Sequence, residues 1–332
     1  PADPGFPDQW YFRNTGQAGG FEGHDLSACA AWDITQGTST AIIAVIDDGF
    51  QLDHPDLAAN IHSNSLEGIP GIDGDGNGYT NDFRGWDFAG DDNNPSPGAG
   101  DNHGTAVAGV ALAAADNGAG IAGLANRCGL LPVRIPVSGM YDSDWVEAID
   151  YAASAADVIS VSTYITPMDW PWDPVQEALS RALVMGRGGK GCVIVTALGD
   201  DGVFRRYTSD LAASPQVIPV SGTSNFDRRS RAADYGPSMD LVCPSSGGVG
   251  IYTTDRAGSR GYNTNRTVAG GDYAYLEGTS LSAPMAAAAA ALVIAEHPSW
   301  TGLEVRRILE ASCDRIDAAA CSYGVSDRND RY

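Results

Sequence analysis

The sequence predicts an α/β fold: a mostly parallel central sheet flanked by helices. Short β-branched runs alternate along the chain with amphipathic or Ala-rich stretches, the pattern that βαβ units produce. The runs are almost continuously apolar, which implies strands buried on both faces by covering helices. With 332 residues, 43% apolar and 19% charged, the chain also has the composition of a globular protein and can bury a large core. Length alone allows about two domains at roughly 150 residues each. No internal repeat, Pro-rich linker or shift in composition marks a boundary, so a single domain over 1–332 is expected.

In chain order, the strand runs are 41–46, 130–135, 158–162, 192–197, 217–221 and 239–243. A helix over 25–35 precedes the first strand. Helices over 103–115, 143–156, 174–185, 281–296 and 303–312 follow, recognised by helical spacing of apolar residues and by acidic first turns such as Asp144 and Glu147. Two segments, 63–104 and 245–278, are rich in Gly, Asp and Asn and are expected as surface loops.

Twenty basic residues against 42 acidic ones give a net charge of −22, which argues against nucleic acid and anionic membranes as partners. The longest apolar run, 283–295, is broken by Pro284, so no membrane span is expected. The sequence begins at Pro1 without Met, basic n-region or apolar h-region, so any targeting segment is expected to lie outside it or to have been removed. Six cysteines show no CxxC pair, which disfavours zinc ribbons and thioredoxin-like chemistry. Disulfides are expected instead, with Cys313 and Cys321 close enough in sequence to pair, and they imply a secreted or periplasmic protein.

Three segments fall where open α/β sheets carry chemistry. The strand Ala44-Val45-Ile46 runs into Asp47-Asp48-Gly49, Asp101-Asn102-His103-Gly104-Thr105 opens a small-residue helix, and Gly278-Thr279-Ser280 turns into an Ala-rich helix with Pro284 in its first turn. Each alone reads as a turn, a helix start or an N-cap. Together they supply the hydroxyl, imidazole and carboxylate that nucleophilic acyl transfer needs. A nucleotide-binding enzyme is disfavoured, because neither GxGxxG nor GxxxxGK[ST] follows a strand.

With AVIDDG at Asp47, HGTAVAG at His103 and GTSLSAPMAAAAAAL at Ser280, the chain resembles the subtilisin-like serine proteases, whose chain order Asp, His, Ser it shares. The N-terminal ADPGFPDQWYF, the Asp47-Asp48 pair and Ser-Ala-Pro after the nucleophile make it most similar to the kexin and furin branch. The resemblance runs from Asp3 to about Asp317. It implies the family's three-layer fold, Ser280 as nucleophile, His103 as general base and acid, and Asp47 as the group that orients His103. It also implies a serine endopeptidase acting on peptides or proteins, with a propeptide or inhibitor as a further partner and no cofactor needed for the chemistry. The family usually continues past the end of this sequence, so a C-terminal continuation is expected.

One position departs from the pattern. Thr196-Ala197-Leu198-Gly199-Asp200 resembles the strand end that normally carries Gly-Asn, whose amide donates to the oxyanion. An ionised Asp200 cannot donate there, and loss of such a donor costs ~10²–10³ in rate. Three readings stay open: a protonated Asp200 with activity favouring acidic pH, a substitute donor such as water, or an impaired protein that binds peptides without turning them over. One neuroendocrine member of the kexin branch is similar in carrying Asp here.

The loop Asp73-Gly74-Asp75-Gly76-Asn77-Gly78-Tyr79-Thr80-Asn81-Asp82 spaces oxygen side chains as calcium loops do, although the twelfth position is Arg84 and not Glu. The resemblance implies a second structural calcium at Asp3, Asp56 and Asn117 with carbonyls of 114–121, and a third at Asp87, Asp92 and Asn94. It also matches Asp48 and Asp101 to acidic substrate subsites, with Asp210 at the primary pocket, implying tolerance of basic side chains near the cleaved bond. The segment 162–167 lacks the Trp-Gly-Pro-acid pattern of a furin-like calcium beside that pocket.

Overall fold

The structure of the chain, a computed structural model, describes residues 1–136, 140–163, 173–204, 211–248 and 250–316. Seven parallel strands form the central sheet: β1 (Ile42–Asp47), β2 (Trp86–Asp87), β3 (Gly129–Arg134), β4 (Val158–Val161), β5 (Val193–Ala197), β6 (Ile218–Ser224) and β7 (Leu241–Ser246), in the spatial order β2-β3-β1-β4-β5-β6-β7. The expected α/β sheet with helices is therefore present.

Alternation along each strand sends side chains to two cores. Ile43 and Val45 of β1 face one core, shared with α2 (His103–Leu112) and α5 (Thr279–Glu296). Ala44 and Ile46 face the other, shared with α3 (Asp142–Ala155) and α4 (Asp173–Gly189). The short α1 (Ala28–Trp32) and α6 (Gly302–Ser312) add to the first side. Helical backbone in α4 stops before Gly186, since Arg187 and Gly188 adopt left-handed φ of 54° and 64°. The α5 helix is long and apolar enough to cross a membrane, but 72% of its apolar window is buried as core.

Two expectations need correction. The segment 245–278 is not a surface loop throughout: β8 (Ile251–Thr254) and β9 (Tyr273–Leu276) form an antiparallel hairpin whose first strand is fully buried. Its polar residues are satisfied locally, Thr253 Oγ1 donating to Ala106 O and Thr254 Oγ1 to Thr105 O, both at 2.6 Å. Likewise 63–104 contains β2 and the buried Trp86, Glu67, Asp82 and Asp87.

No disulfide joins Cys29, Cys128, Cys192 and Cys243 among the described residues. Cys128 and Cys192 are packed in separate cores, and burial raises the pKa of each thiol, to about 11 and about 12. These cysteines act as small apolar residues, contrary to the disulfide expectation. The Cys313–Cys321 pairing depends on Cys321, which lies outside the described residues.

The β8 hairpin packs on α2 through Gly109, where an added Cβ would lie 2.1 Å from Thr254 Oγ1 and 2.7 Å from Thr253 Oγ1. Gly109→Ala is therefore expected to lower stability by about 1–3 kcal/mol, read as a lower denaturant midpoint. An unchanged midpoint would show that the hairpin can withdraw from α2 at no cost.

Candidate active site

The strand order reverses beside β1, with β3 on one side and β4 on the other, so the carboxyl ends of β1 and β4 open a crevice. Asp47 ends β1 with its side chain almost wholly buried. His103 begins α2, and Ser280 lies in the first turn of α5. These three residues line one cleft of about 440 Å³ with Asp48, Ile135, Ser162, Gly199, Asp200 and Leu211.

His103 Nδ1 lies 2.8 Å and 3.0 Å from the two oxygens of Asp47. Burial alone would lower the imidazole pKa, but the charges of Asp47, Asp48 and Asp200 outweigh it and raise it to about 9. The buried carboxylate thus fixes the ring and stabilises its protonated form. The Ser280 hydroxyl does not bond to this imidazole. It donates to Ser162 O at 3.2 Å, while Ser162 Oγ donates to Ser280 O at 2.9 Å.

Asp48 serves the fold. Its oxygens accept the His103 N–H at 3.0 Å and the Gly104 N–H at 2.7 Å, capping α2 from outside the helix. Burial and the adjacent Asp47 raise its pKa to about 6. Asp101 is also committed, because Arg134 Nη2 donates to it at 2.7 Å. The same guanidinium donates to Asp87 Oδ2 at 2.5 Å and, through Nε, to Asp48 O at 3.0 Å. Arg256 adds bonds to Gly98 O, Asp101 O and Asn102 Oδ1. Sequence reasoning missed both arginines, since no motif marks either and their partners come from distant segments. Asp48 lines the cleft, and both Asp48 and Asp101 have partners within the protein. Asp210 lies outside the described residues.

Asp200 lines the cleft as expected, but its carboxylate is an acceptor for the start of α5. Thr279 N–H bonds its two oxygens at 2.9 and 3.1 Å, and Thr279 Oγ1 donates at 3.1 Å. The helix N-cap is Gly278, at φ 140°, which has no side chain to do this itself. Burial raises the Asp200 pKa, and with the charges of Asp234 and Asp201 it outweighs the lowering effect of the Thr279 hydrogen bonds.

The cation candidates separate clearly. Glu67, Asp75 and Asp82 bring ligand atoms within 4.8 Å of one another, with Asn64 and Asn77 bonded to Asp75 and Asp82. Burial leads, with Asp75 and Glu67 adding repulsion, in raising the Asp82 pKa, and the buried Tyr151 hydroxyl lies beside Asp82. Such an all-oxygen donor set fits a hard cation. Sequence spacing missed Glu67, which precedes the loop. Asp73 instead accepts Gly76, Asn77 and Gly78 N–H groups in its own loop.

Asp3, Asp56 and Asn117 do converge: Asp3 accepts the Asp116 and Asn117 amides, and Asp56 accepts Asn117 Nδ2 and the Ile121 amide. At the third expected site, Asp87 is paired with Arg134. The remaining Asp87 oxygen accepts Ala89 and Gly90 N–H groups, and Asp92 Oδ1 accepts that of Asn94.

A family model described as the subtilase family matches residues 38–327. A calcium-dependent protease of Trichormus variabilis is 35% identical over 352 residues, covering 98% of this chain and 49% of the relative. A halolysin-like extracellular serine protease of Natrialba magadii is 31% identical over 306 residues, covering 91% and 47%. The chain thus spans about half the length of these curated relatives. The serine protease of Aeromonas sobria shares the fold with a TM-score of 0.80 at 22% identity, covering 99% of this chain and 61% of that one.

Removing the Asp48 charge should lower the His103 pKa from about 9, because that charge is one of those raising it. A proton NMR titration of Asp48→Asn is expected to show His103 deprotonating at lower pH than in the parent. An unmoved midpoint would mean that Asp47 and Asp200 set the imidazole without Asp48.

Proposed function

The chain belongs to the subtilase family, and from that premise we propose that it is a secreted, calcium-stabilised serine endopeptidase that cleaves peptide bonds through an acyl-enzyme. The carrying observation is the buried Asp47 paired with His103 at 2.8 Å in the cleft that also holds Ser280. The family as a whole is the shared assignment, and its kexin branch has no specific support. Peptides and proteins are the substrates, and a propeptide or inhibitor suits the same cleft. Secretion is favoured by the relative named as extracellular.

For catalysis, the Ser280 hydroxyl turns from Ser162 O toward His103 Nε2. His103 takes the proton as Ser280 Oγ attacks the scissile carbonyl, and returns it to the leaving amine. Asp47 holds the ring and stabilises the imidazolium. Water then attacks the ester, again with His103 as base, and frees Ser280.

Asp200 must carry a proton to donate to the oxyanion, whereas His103 must be free of one to accept. The productive pair therefore holds one proton in total, on Asp200. The same total is found, more abundantly, with Asp200 ionised and His103 protonated, since His103 has the higher pKa. Acylation by a fluorophosphonate should rise as pH passes the elevated Asp200 pKa, hold, and fall above about 9 as the shared proton is lost. This replaces a simple acid preference with a bell-shaped profile. Asp200→Asn keeps its donor at every pH, so its rate should rise with pH to a plateau without a high-pH fall, about 10²–10³ higher. A parent profile that climbs through 9 and stays high would assign donation to another group, such as water.

A second reading, a peptide-binding protein without turnover, is favoured by Ser280 bonding away from His103 and by the acceptor role of Asp200. Failure of the parent to label at any pH, with labelling restored in Asp200→Asn, would establish it.

Calcium is read at Glu67, Asp75, Asn77 and Asp82, and at Asp3, Asp56 and Asn117. Its role there is to neutralise close carboxylates and pin the 64–82 and 114–121 loops. Ligand at about 100 times its Kd stabilises by about 2.7 kcal/mol, so chelation should lower the melting temperature by several degrees. Glu67→Gln with Asp82→Asn should remove much of that response. A melting curve indifferent to calcium would refute the assignment.

A further inference from the structure

Acidic residues outnumber basic ones 42 to 20 in this chain, yet Arg228, Arg229 and Arg231 fall on one turn and line a surface basin of about 540 Å³ with Phe21, Phe226 and Glu277. Two stretches of chain link the basin with the cleft. Glu277 is three residues before Ser280, a span of at most about 10 Å. On the other side, Gly202, two residues past Asp200, packs so closely that a Cβ there would lie 2.6 Å from Arg231 O.

The turn is well fixed. Ser224 N–H donates to Arg228 O at 2.8 Å, Ser230 N–H to Gly222 O at 2.8 Å, and Ser230 and Ser246 hydroxyls meet at 3.0 Å. Arg229 stacks on Tyr235 with its guanidinium carbon 4.1 Å from the ring centroid, and donates to Ser230 O and Ala233 O. Phe21 and Phe226 pack edge to face at 5.3 Å, and Asp227 pairs with His24 at 3.1 Å. Arg228 and Arg231 are exposed and make no ion pair among the described residues. Glu277 is the acid lining the basin.

We propose that this basin binds an acidic side chain of the substrate on the leaving-group side of the cleaved bond, two or three residues beyond it. The acyl half of a peptide occupies the cleft beside Asp48 and Ser162, and its other half passes over Glu277-Gly278 toward Arg231 and Arg228. At about 3.3 Å per extended residue, two or three residues reach from Ser280 to Glu277, which lines the same basin as the arginines. The overall negative charge of the protein does not prevent this, because charge farther than about 8 Å is largely screened at physiological salt while the nearby arginines are not. The proposal rests on the endopeptidase reading above.

The test compares peptides identical except for Glu, Gln or Lys at the second and third positions after the cleaved bond, using the parent and Arg228→Ala/Arg231→Ala. The expected result is a kcat/KM ratio of Glu to Lys peptide on the order of ten. That ratio should approach one in the double variant and decline in the parent as salt rises. Equal rates for the three peptides, or a preference that survives the double substitution, would overturn the inference while leaving the endopeptidase reading intact. Fluorescence anisotropy with the labelled peptides and Ser280→Ala separates the two readings. Tighter binding of the Glu peptide that needs Arg228 and Arg231 supports the basin even if the parent cleaves nothing, and equal binding overturns it.

Discussion

Hydrogen bonding of backbone amides to carboxylates is the constraint on which the site depends. With 42 acidic and 20 basic residues, many buried carboxylates must find donors other than Lys or Arg. The chain meets this need at helix starts and tight loops. Asp48 takes two amides at the start of α2, and Asp200 takes the first amide of α5. The fully buried Asp255 takes those of Arg256, Tyr262 and Asn263. Each carboxylate satisfies donors that a helix or turn leaves unpaired, and the first two thereby place His103 and Ser280 opposite one another.

Where amides do not suffice, one arginine serves several acids. Arg134 leaves the end of β3 and reaches Asp87, Asp101 and the carbonyl of Asp48. These belong to three separate segments, of which that of Asp48 lines the cleft. A half-buried guanidinium with a fixed fork of donors suits this task, since its geometry is set in advance and its charge is permanent. The same network explains why the acids near His103 differ from free surface charge. They are structural partners of a helix terminus and an arginine, so an acidic residue beside a cleft is no sufficient sign of a basic substrate.

Much of the architecture was legible in the sequence because burial on both faces forces apolar continuity. Six of the seven sheet strands and all the larger helices follow from it, as do Asp47, His103 and Ser280, which sit at strand and helix ends. The β8 hairpin was not legible: Thr253 and Thr254 are polar in sequence, and it is their bonds to carbonyls of α2 that permit burial. Glu67 was hidden for a related reason, since it joins Asp75 and Asp82 through folding of the loop and lies outside the regular spacing. Arg134 was equally silent, as a single base at a strand end does not reveal which of 42 acids it meets. Spacing reports local geometry, whereas these contacts depend on segments brought together from afar.

The capping carboxylates have a consequence for solvent exchange. Amides in the first turn of a helix lack a partner within it and ordinarily trade their hydrogens readily. Here the amides of His103, Gly104 and Thr279 are each held by an aspartate. Their protection from deuterium therefore follows the ionisation of Asp48 and Asp200 as well as the opening of the helices. Three backbone positions beside the reacting groups thus act as natural reporters of charge in the cleft, without any probe attached to the protein.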